Sequence, residues 1–221
     1  MSLDLGVLIS GRGSNLGAIL DAIGDGRLDA RVRLVVSNRA DAGGLDRAAR
    51  AGVPTRVLSH RDHADRPSYD AALVAALREA GAHFVALAGF MRLLGPTFLD
   101  AFPHRVLNIH PSLLPAFPGV DAQAQALAYG SRVTGCTVHL VDAGTDTGPI
   151  VAQAAVPILP GDDHDALAAR VLAREHDLLV RALEWFAEGR VEVTPAADPG
   201  GRARVVVRGA HTWFGLAGGV D

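Results

Sequence analysis

The sequence predicts an α/β fold in which a mostly parallel, twisted sheet is flanked by helices. Short apolar runs, which are typical of buried strands, alternate with segments of helical periodicity along the first half of the chain. A glycine-rich turn, residues 11–15, joins the first predicted strand to the first predicted helix. The chain has 221 residues, of which 49% are hydrophobic, so it is long enough and apolar enough to bury a sizeable core. These features together indicate a Rossmann-like arrangement.

The composition excludes several classes of function. A net charge of −3 argues against a nucleic-acid surface, which needs an excess of basic residues. All 21 basic residues are arginines, so the chain has no lysine for Schiff-base chemistry or for a lysine-dependent phosphate loop. The single cysteine, Cys136, predicts a small buried hydrophobe in a reducing, cytoplasmic compartment. No signal-peptide pattern and no apolar run of membrane-spanning length is present, so we expect no membrane partner.

The first predicted strand, residues 5–10, leads through the glycine turn into a helix that begins at about Leu16. A helix N-terminus after such a turn presents backbone N–H groups to an anion, and Gly13, Ser14 and Asn15 stand there. Leu16 occupies the place of the third glycine of a dinucleotide fingerprint, so a single phosphate group fits better than a dinucleotide. A turn that serves only helix packing is an equally good interpretation of these residues alone.

The alternation of strands and helices continues after the first helix. Strands are predicted at 33–37, 55–58 and 84–88, with helices ending at Gly52 and spanning 67–80. The loop 89–94 is apolar and follows the carboxyl end of a strand, where ligands bind in open α/β sheets. It is therefore suited to cover a flat aromatic group, although a purely structural role is almost as good an interpretation.

The strand at residues 106–110 carries the strongest signal for chemistry. Val106, Leu107 and Ile109 are apolar, and Pro111 ends the run because proline cannot donate to a ladder. Side chains alternate along a strand, so Asn108 and His110 emerge on one face. An amide and an imidazole at the carboxyl edge of the sheet predict a catalytic centre.

The second half of the chain supplies an acidic loop, residues 142–149, between two strands predicted to pair as a hairpin. A carboxylate from this loop, Asp146, would favour the protonated form of a nearby imidazole. Protonated His110 beside the Asn108 amide is suited to stabilise an oxyanion and then to protonate a leaving nitrogen, as acyl or formyl transfer requires. A metal site formed by His110, His139 and Asp146 is the competing hypothesis, without a recognised ligand spacing.

The remaining predicted elements are a helix at 122–129, strands at 135–141 and 150–156, a helix at 162–187 and strand-like pieces at 191–193 and 204–207.

Several motifs resemble those of the glycinamide ribonucleotide transformylases of purine biosynthesis, in order from residue 5 to residue 187. The motifs are Val7-Leu8-Ile9-Ser10-Gly11-x-Gly13-Ser14-Asn15-Leu16, Ser37-Asn38-x-Ala40-Asp41-Ala42, Leu87-Ala88-Gly89-Phe90-Met91-Arg92, Leu107-Asn108-Ile109-His110-Pro111-Ser112-Leu113-Leu114-Pro115 and Asp146-x-Gly148-Pro149. The Asn-x-His-Pro-Ser-x-Leu-Pro motif is shared by formyltetrahydrofolate-using enzymes generally. The Gly-x-Gly-Ser-Asn turn narrows the resemblance to the ribonucleotide enzymes. The departures are Ala116-Phe117-Pro118, where relatives often carry a basic residue, and Val120-Asp121-Ala122-Gln123.

The resemblance implies a direct attack of the substrate amine on the formyl carbon of 10-formyltetrahydrofolate, without a metal and without a covalent enzyme intermediate. It implies Asn108, His110 and Asp146 as the catalytic residues. The implied contacts to the ribonucleotide are Gly13, Ser14, Asn15 and Glu175, and those to the folate are Arg66, Met91, Arg92, Leu93, Leu94, Asp142, Ala143, Gly144 and Thr145.

The resemblance also implies a formyltransferase fold over residues 1–189, with a C-terminal hairpin and a long helix. This single domain has a phosphate-binding half, about 1–104, and a folate and catalytic half, about 105–189, and a tail follows at 190–221. The partners expected are small-molecule substrates, with a possible homodimer and without nucleic acid or membrane. A 10-formyltetrahydrofolate hydrolase and an inactive binding module are the alternatives. A methionyl-tRNA formyltransferase is disfavoured because only about thirty residues follow Gly189.

Overall fold

A computed structural model describes residues 2–196 and 202–215. The strands described are β1 (Leu3–Ile9), β2 (Ala30–Ser37), β3 (Thr55–Val57), β4 (Phe84–Leu87), β5 (Val106–His110), β6 (Val133–Leu140), β7 (Ile150–Pro157), β8 (Val191–Thr194), β9 (Arg204–Val207) and β10 (Trp213–Phe214). The α-helices described are α1 (Ser14–Gly24), α2 (Gly43–Arg50), α3 (Arg66–Glu79), α4 (Pro96–Leu99), α5 (Ala122–Tyr129) and α6 (His164–Ala187), and a 3-10 turn covers His60–Asp62. The chain divides into two compact units, Met1–Asn108 and Ile109–Asp221.

The first unit contains a parallel sheet in the order β5-β4-β1-β2-β3. The core strands are apolar because they are covered on both faces, and every residue of β4 is buried. Since all five strands run the same way, their carboxyl ends lie at one edge. The turn after β1 and the loop after β4 therefore leave the sheet side by side.

The second unit begins with the last two residues of β5 and contains the antiparallel pair β6 and β7, with β10 parallel to β7. The long helix α6 packs on β6 and β7 and buries a stripe with helical spacing, which includes Leu167, Val171 and Leu178. Asp163 caps this helix by accepting a hydrogen bond from the N–H of Ala166. The strands β8 and β9 form a separate antiparallel hairpin.

The predicted fold class, a mostly parallel sheet flanked by helices with a C-terminal hairpin and a long helix, is confirmed. The element bounds differ in places: β2 begins at Ala30 and not at residue 33, and α6 begins at His164 and not at residue 162. Two short elements, α4 and β10, were not expected, because four residues and two residues are too few to show a periodic pattern. The tail positions 197–201 and 216–221 lie outside the described residues.

The only cysteine in the sequence, Cys136, lies on β6 and is fully buried, as expected. Burial raises the pKa of its thiol well above the ordinary value, so the thiolate is disfavoured and the side chain acts as a small hydrophobe. Within residues 2–196 and 202–215, no helix combines the length and the apolar character that crossing a membrane requires.

Candidate active site

The end of β5 places Asn108 and His110 on one side of the strand. Val106, Leu107 and Ile109 are buried and fix the strand, whereas Asn108 is only half-buried. His110 is itself buried, with 4% of its surface exposed. A buried imidazole needs partners for both ring nitrogens, and these partners define what the residue does.

Both ring nitrogens of His110 face oxygen atoms. The Nε2 atom lies 2.9 Å from the carbonyl oxygen of Phe117, which only accepts hydrogen bonds. The Nδ1 atom lies 3.3 Å from the Oδ2 atom of Asp146. An ionised carboxylate also only accepts, so the two contacts together are satisfied by the imidazolium, which has an N–H on each side. The geometry therefore suits a proton donor at the end of β5.

Asp146 is held in place by its own backbone conformation and by a backbone N–H that donates to its carboxylate. Its own backbone is left-handed, with φ of 53°, which Asp tolerates better than most residues do. The N–H of Gly119 donates to the Oδ2 atom of Asp146 at 2.8 Å. A side chain at Gly148 would collide with the carbonyl oxygen of Leu140, so the glycine two residues after Asp146 lets this loop pass close to β6.

A second buried histidine, His139, lies on β6, and the sequence indicated it only as a candidate metal ligand. Its Nε2 atom lies 3.7 Å from the Oδ1 atom of Asp146, and its Nδ1 atom is 2.9 Å from the carbonyl oxygen of Leu140. No group of three or more His, Cys, Asp or Glu side chains in the described part of the chain has the arrangement of a metal site. His139 is therefore described as a neighbour of the Asp146 carboxylate.

Burial lowers the pKa of His139 below its ordinary value, since a charged imidazole loses its hydration there. In the unfolded chain the group titrates near pH 6.5, so below that pH the unfolded state takes up a proton that the folded state resists. We expect the free energy of unfolding to fall as the pH drops below about 6.5, with a slope of at most about 1.4 kcal/mol per pH unit from this residue.

Urea denaturation of wild type and His139→Asn between pH 7.5 and 5 measures this slope. The asparagine variant should show a shallower fall, and His83→Asn, which changes an exposed histidine, should keep the wild-type slope. Equal slopes in wild type and His139→Asn would show that His139 is protonated as easily in the folded state as in the unfolded state.

The loop after His110 is fixed by polar residues of the neighbouring strands that the sequence patterns did not single out. The Thr137 hydroxyl donates to the carbonyl oxygen of Ser112 at 2.7 Å and accepts from the N–H of Leu114 at 3.0 Å. Gln153 on β7 donates to the carbonyl oxygen of Leu114 at 2.9 Å. The Ser112 hydroxyl in turn donates to the carbonyl oxygen of Ala116 at 2.5 Å, beside Phe117. These bonds set the position of the carbonyl that His110 contacts.

The glycine turn of the first unit has the form expected of an anion site. Gly13 has φ of 71°, and a methyl group there would lie 2.6 Å from the Cα atom of Gly44, so only glycine fits. Ser14 is the first residue of α1, and no side chain caps this helix. The first-turn backbone N–H groups are thus presented at the edge of the sheet, and the Asn15 side chain is buried beside them.

Most of the residues predicted to contact folate lie on two exposed loops, and Arg66 is the first residue of α3. In the first unit, Met91 and Leu93 are 68% and 54% exposed, Arg92 and Arg66 are also exposed, and Leu94 is buried. In the second unit, residues 142–145 are largely exposed, and the carboxylate of Asp142 accepts hydrogen bonds from Thr147 and from the N–H of Gly144. Glu175, predicted at the ribonucleotide, is buried on α6.

The chain matches the family model described as formyl transferase over residues 4–183. It is 49% identical over 197 residues to phosphoribosylglycinamide formyltransferase of Mycobacterium tuberculosis (strain ATCC 25618 / H37Rv), covering 89% of this chain and 90% of that protein. It is 52% identical over 185 residues to trifunctional purine biosynthetic protein adenosine-3 of Drosophila pseudoobscura pseudoobscura, covering 83% of this chain. The chain spans only 14% of that relative's length.

Among solved structures, glycinamide ribonucleotide transformylase 1 of Symbiobacterium toebii is similar to this chain with a TM-score of 0.87 and 51% sequence identity. The match covers 93% of this chain and 94% of that chain.

Proposed function

From the premise that the chain belongs to the formyl transferase family, we propose that it transfers the formyl group of 10-formyltetrahydrofolate to the amine of 5-phosphoribosylglycinamide (GAR). The products are formyl-GAR and tetrahydrofolate, as in purine biosynthesis. The observation that carries the proposal is the pair of contacts of His110, to the carboxylate of Asp146 and to the carbonyl oxygen of Phe117. A histidine oriented in this way is suited to donate a proton to a substrate group that replaces the carbonyl oxygen of Phe117 at Nε2.

The proposed contacts to GAR come from the glycine turn and from a carboxylate on α6. Gly13, Ser14 and Asn15 would hold the phosphate of GAR, because a helix N-terminus without a side-chain cap supplies backbone N–H donors. Glu175 would contact the glycinamide or ribose end. A single carboxylate can accept from an amine or from hydroxyl groups, so it suits either part.

The residues proposed to contact the formyl donor also suit a folate. The exposed apolar side chains Met91 and Leu93 match a flat ring, while Arg66 and Arg92 match carboxylates at the other end of a folate. Leu94, which is buried, would support the loop from below. The residues Asp142, Ala143, Gly144 and Thr145 complete the proposed contacts to folate.

In the reaction, the amine nitrogen of GAR attacks the formyl carbon and forms a C–N bond. Asn108 and protonated His110 stabilise the oxyanion that develops on the formyl oxygen. The amine then loses a proton, and the bond from the formyl carbon to the folate nitrogen breaks as that nitrogen is protonated. Asp146 pairs with the Nδ1 atom of His110 and takes part in the proton transfers, and no metal and no covalent enzyme intermediate is needed.

The test follows the release of tetrahydrofolate from a 10-formyl folate by absorbance, with and without GAR. Release only in the presence of GAR supports the transferase. Release without GAR would instead support the hydrolase, which the names of the relatives and of the solved structure give no reason to prefer. No release in either case, with folded protein, would contradict both and leave a binding module. The homodimer stays a prediction, which size-exclusion chromatography with light scattering tests.

A further inference from the structure

The loop 89–95 in the first unit exposes its middle and is attached at both ends by buried polar groups. Met91 and Leu93 are exposed, whereas Phe90 and Leu94 are buried, with 8% and 6% of their surface exposed. Buried apolar side chains hold such a loop to the sheet but do not set the direction of its backbone. Hydrogen bonds set the direction of the backbone, so the polar contacts of the loop decide how its exposed side chains are presented.

Ser10 attaches the beginning of the loop. Its N–H donates to the carbonyl oxygen of Gly89 at 3.1 Å, and its hydroxyl oxygen accepts from the N–H of Met91 at 2.8 Å. The hydroxyl hydrogen is directed to the Oδ1 atom of Asn38 at 2.6 Å. Ser10 and Asn38 are both buried, so this orientation is fixed. Ser10 also directly precedes the glycine turn, so it lies between the two proposed ligand loops of this unit.

Asp70 attaches the end of the loop. This carboxylate is fully buried on α3, and its Oδ2 atom accepts from the N–H of Gly95 at 2.8 Å. A methyl group at Gly95 would lie 2.8 Å from that oxygen and 3.2 Å from the Cδ atom of Arg66, so glycine permits the close approach. Burying a carboxylate for one backbone hydrogen bond is unfavourable for stability, and burial raises the pKa of Asp70. A role in fixing the loop accounts for it.

We propose that Ser10 and Asp70 are positioning residues that pre-organise the loop 89–95 for the formyl donor. The inference rests on the proposed function, in which the formyl donor is the ligand of that loop. A loop held in its binding conformation loses less conformational freedom when the ligand binds, which strengthens binding without a new contact. Neither residue needs to touch the substrate.

The experiment measures steady-state kinetics of Ser10→Ala, Asp70→Ala and Asp70→Asn. Losing the side-chain hydrogen bond to the loop 89–95 should raise the KM for the 10-formyl folate about five- to tenfold in each alanine variant. The KM for GAR should change less than about twofold. Asp70→Asn should stay within about threefold of wild type, because the amide oxygen still accepts from Gly95. Ser37→Ala is the matched control, since it also removes a buried serine hydroxyl, one that bonds to the backbone of Arg39 and not to the loop 89–95.

Hydrogen–deuterium exchange of the loop 89–95 without ligand gives a readout independent of activity. Exchange there should be faster in Ser10→Ala and Asp70→Ala than in wild type, Ser37→Ala and Asp70→Asn. Unchanged KM for the folate and unchanged exchange in both alanine variants would overturn the inference, even with an active wild type. If an alanine variant does not fold, Asp70→Asn decides: a folate KM tenfold above the wild-type value with unchanged exchange of the loop 89–95 would show that residue 70 does not act through the loop and would overturn the proposal. A wild type without GAR-dependent turnover contradicts the proposed function instead, and the exchange result still reports on the two attachments.

Discussion

Replacing His110 by alanine is expected to lower kcat for GAR formylation by about 10³-fold, within the range of 10² to 10⁴ for the loss of a positioned acid–base group. The variant loses the N–H groups that face Asp146 and Phe117, and with them the proton donor at the end of β5. The KM for GAR should change little, because the proposed phosphate contacts lie on the glycine turn. Steady-state kinetics with both substrates varied measures the two effects separately.

The matched control for this variant is His83→Ala, which removes an exposed imidazole in the turn before β4. It should retain wild-type kcat. Circular dichroism and thermal unfolding then establish whether His110→Ala is folded. A folded His110→Ala enzyme with kcat within tenfold of wild type would remove His110 from the mechanism.

The sequence predicted the features that depend on periodicity and on fixed turn chemistry. Apolar runs located β1, β4 and β5, because strands covered on both faces are nearly continuous in hydrophobic residues. Strand alternation placed Asn108 and His110 on one face. The pairing of His110 with Asp146, 36 positions apart in the sequence, was a hypothesis from the acidic loop that the family resemblance then singled out, since no local pattern specifies which loop returns to a strand end.

The parts of the site that the sequence did not predict are those made by backbone groups and by ordinary strand residues. Phe117 and Gly119 serve the site through a carbonyl oxygen and an N–H, which are backbone groups that no side-chain pattern reveals. This explains how the segment 116–123 can depart from the relatives' pattern without changing the partners of His110 and Asp146. Thr137 and Gln153 look like ordinary members of a half-polar hairpin until the chain is folded, because their partners are backbone atoms of a distant loop.

Replacing Asp146 by asparagine is expected to lower kcat by about 10²-fold or more while leaving the fold intact. Asparagine tolerates the left-handed backbone that residue 146 adopts, so the change tests the charge and not the strain. Its amide oxygen can still accept from the N–H of Gly119. The negative charge facing the Nδ1 atom of His110 is lost, however, and the imidazolium loses its counter-charge in a buried site.

Kinetics and thermal unfolding of Asp146→Asn are compared with Asp165→Asn, which changes an almost fully exposed carboxylate on α6. Asp165→Asn should keep wild-type kcat, and both variants should unfold near the wild-type temperature. Wild-type kcat in Asp146→Asn would mean that His110 needs no carboxylate at residue 146 for catalysis. A fall of similar size in Asp146→Asn and His110→Ala, without a further fall in the double variant, is expected if the two residues act as one proton-transfer unit.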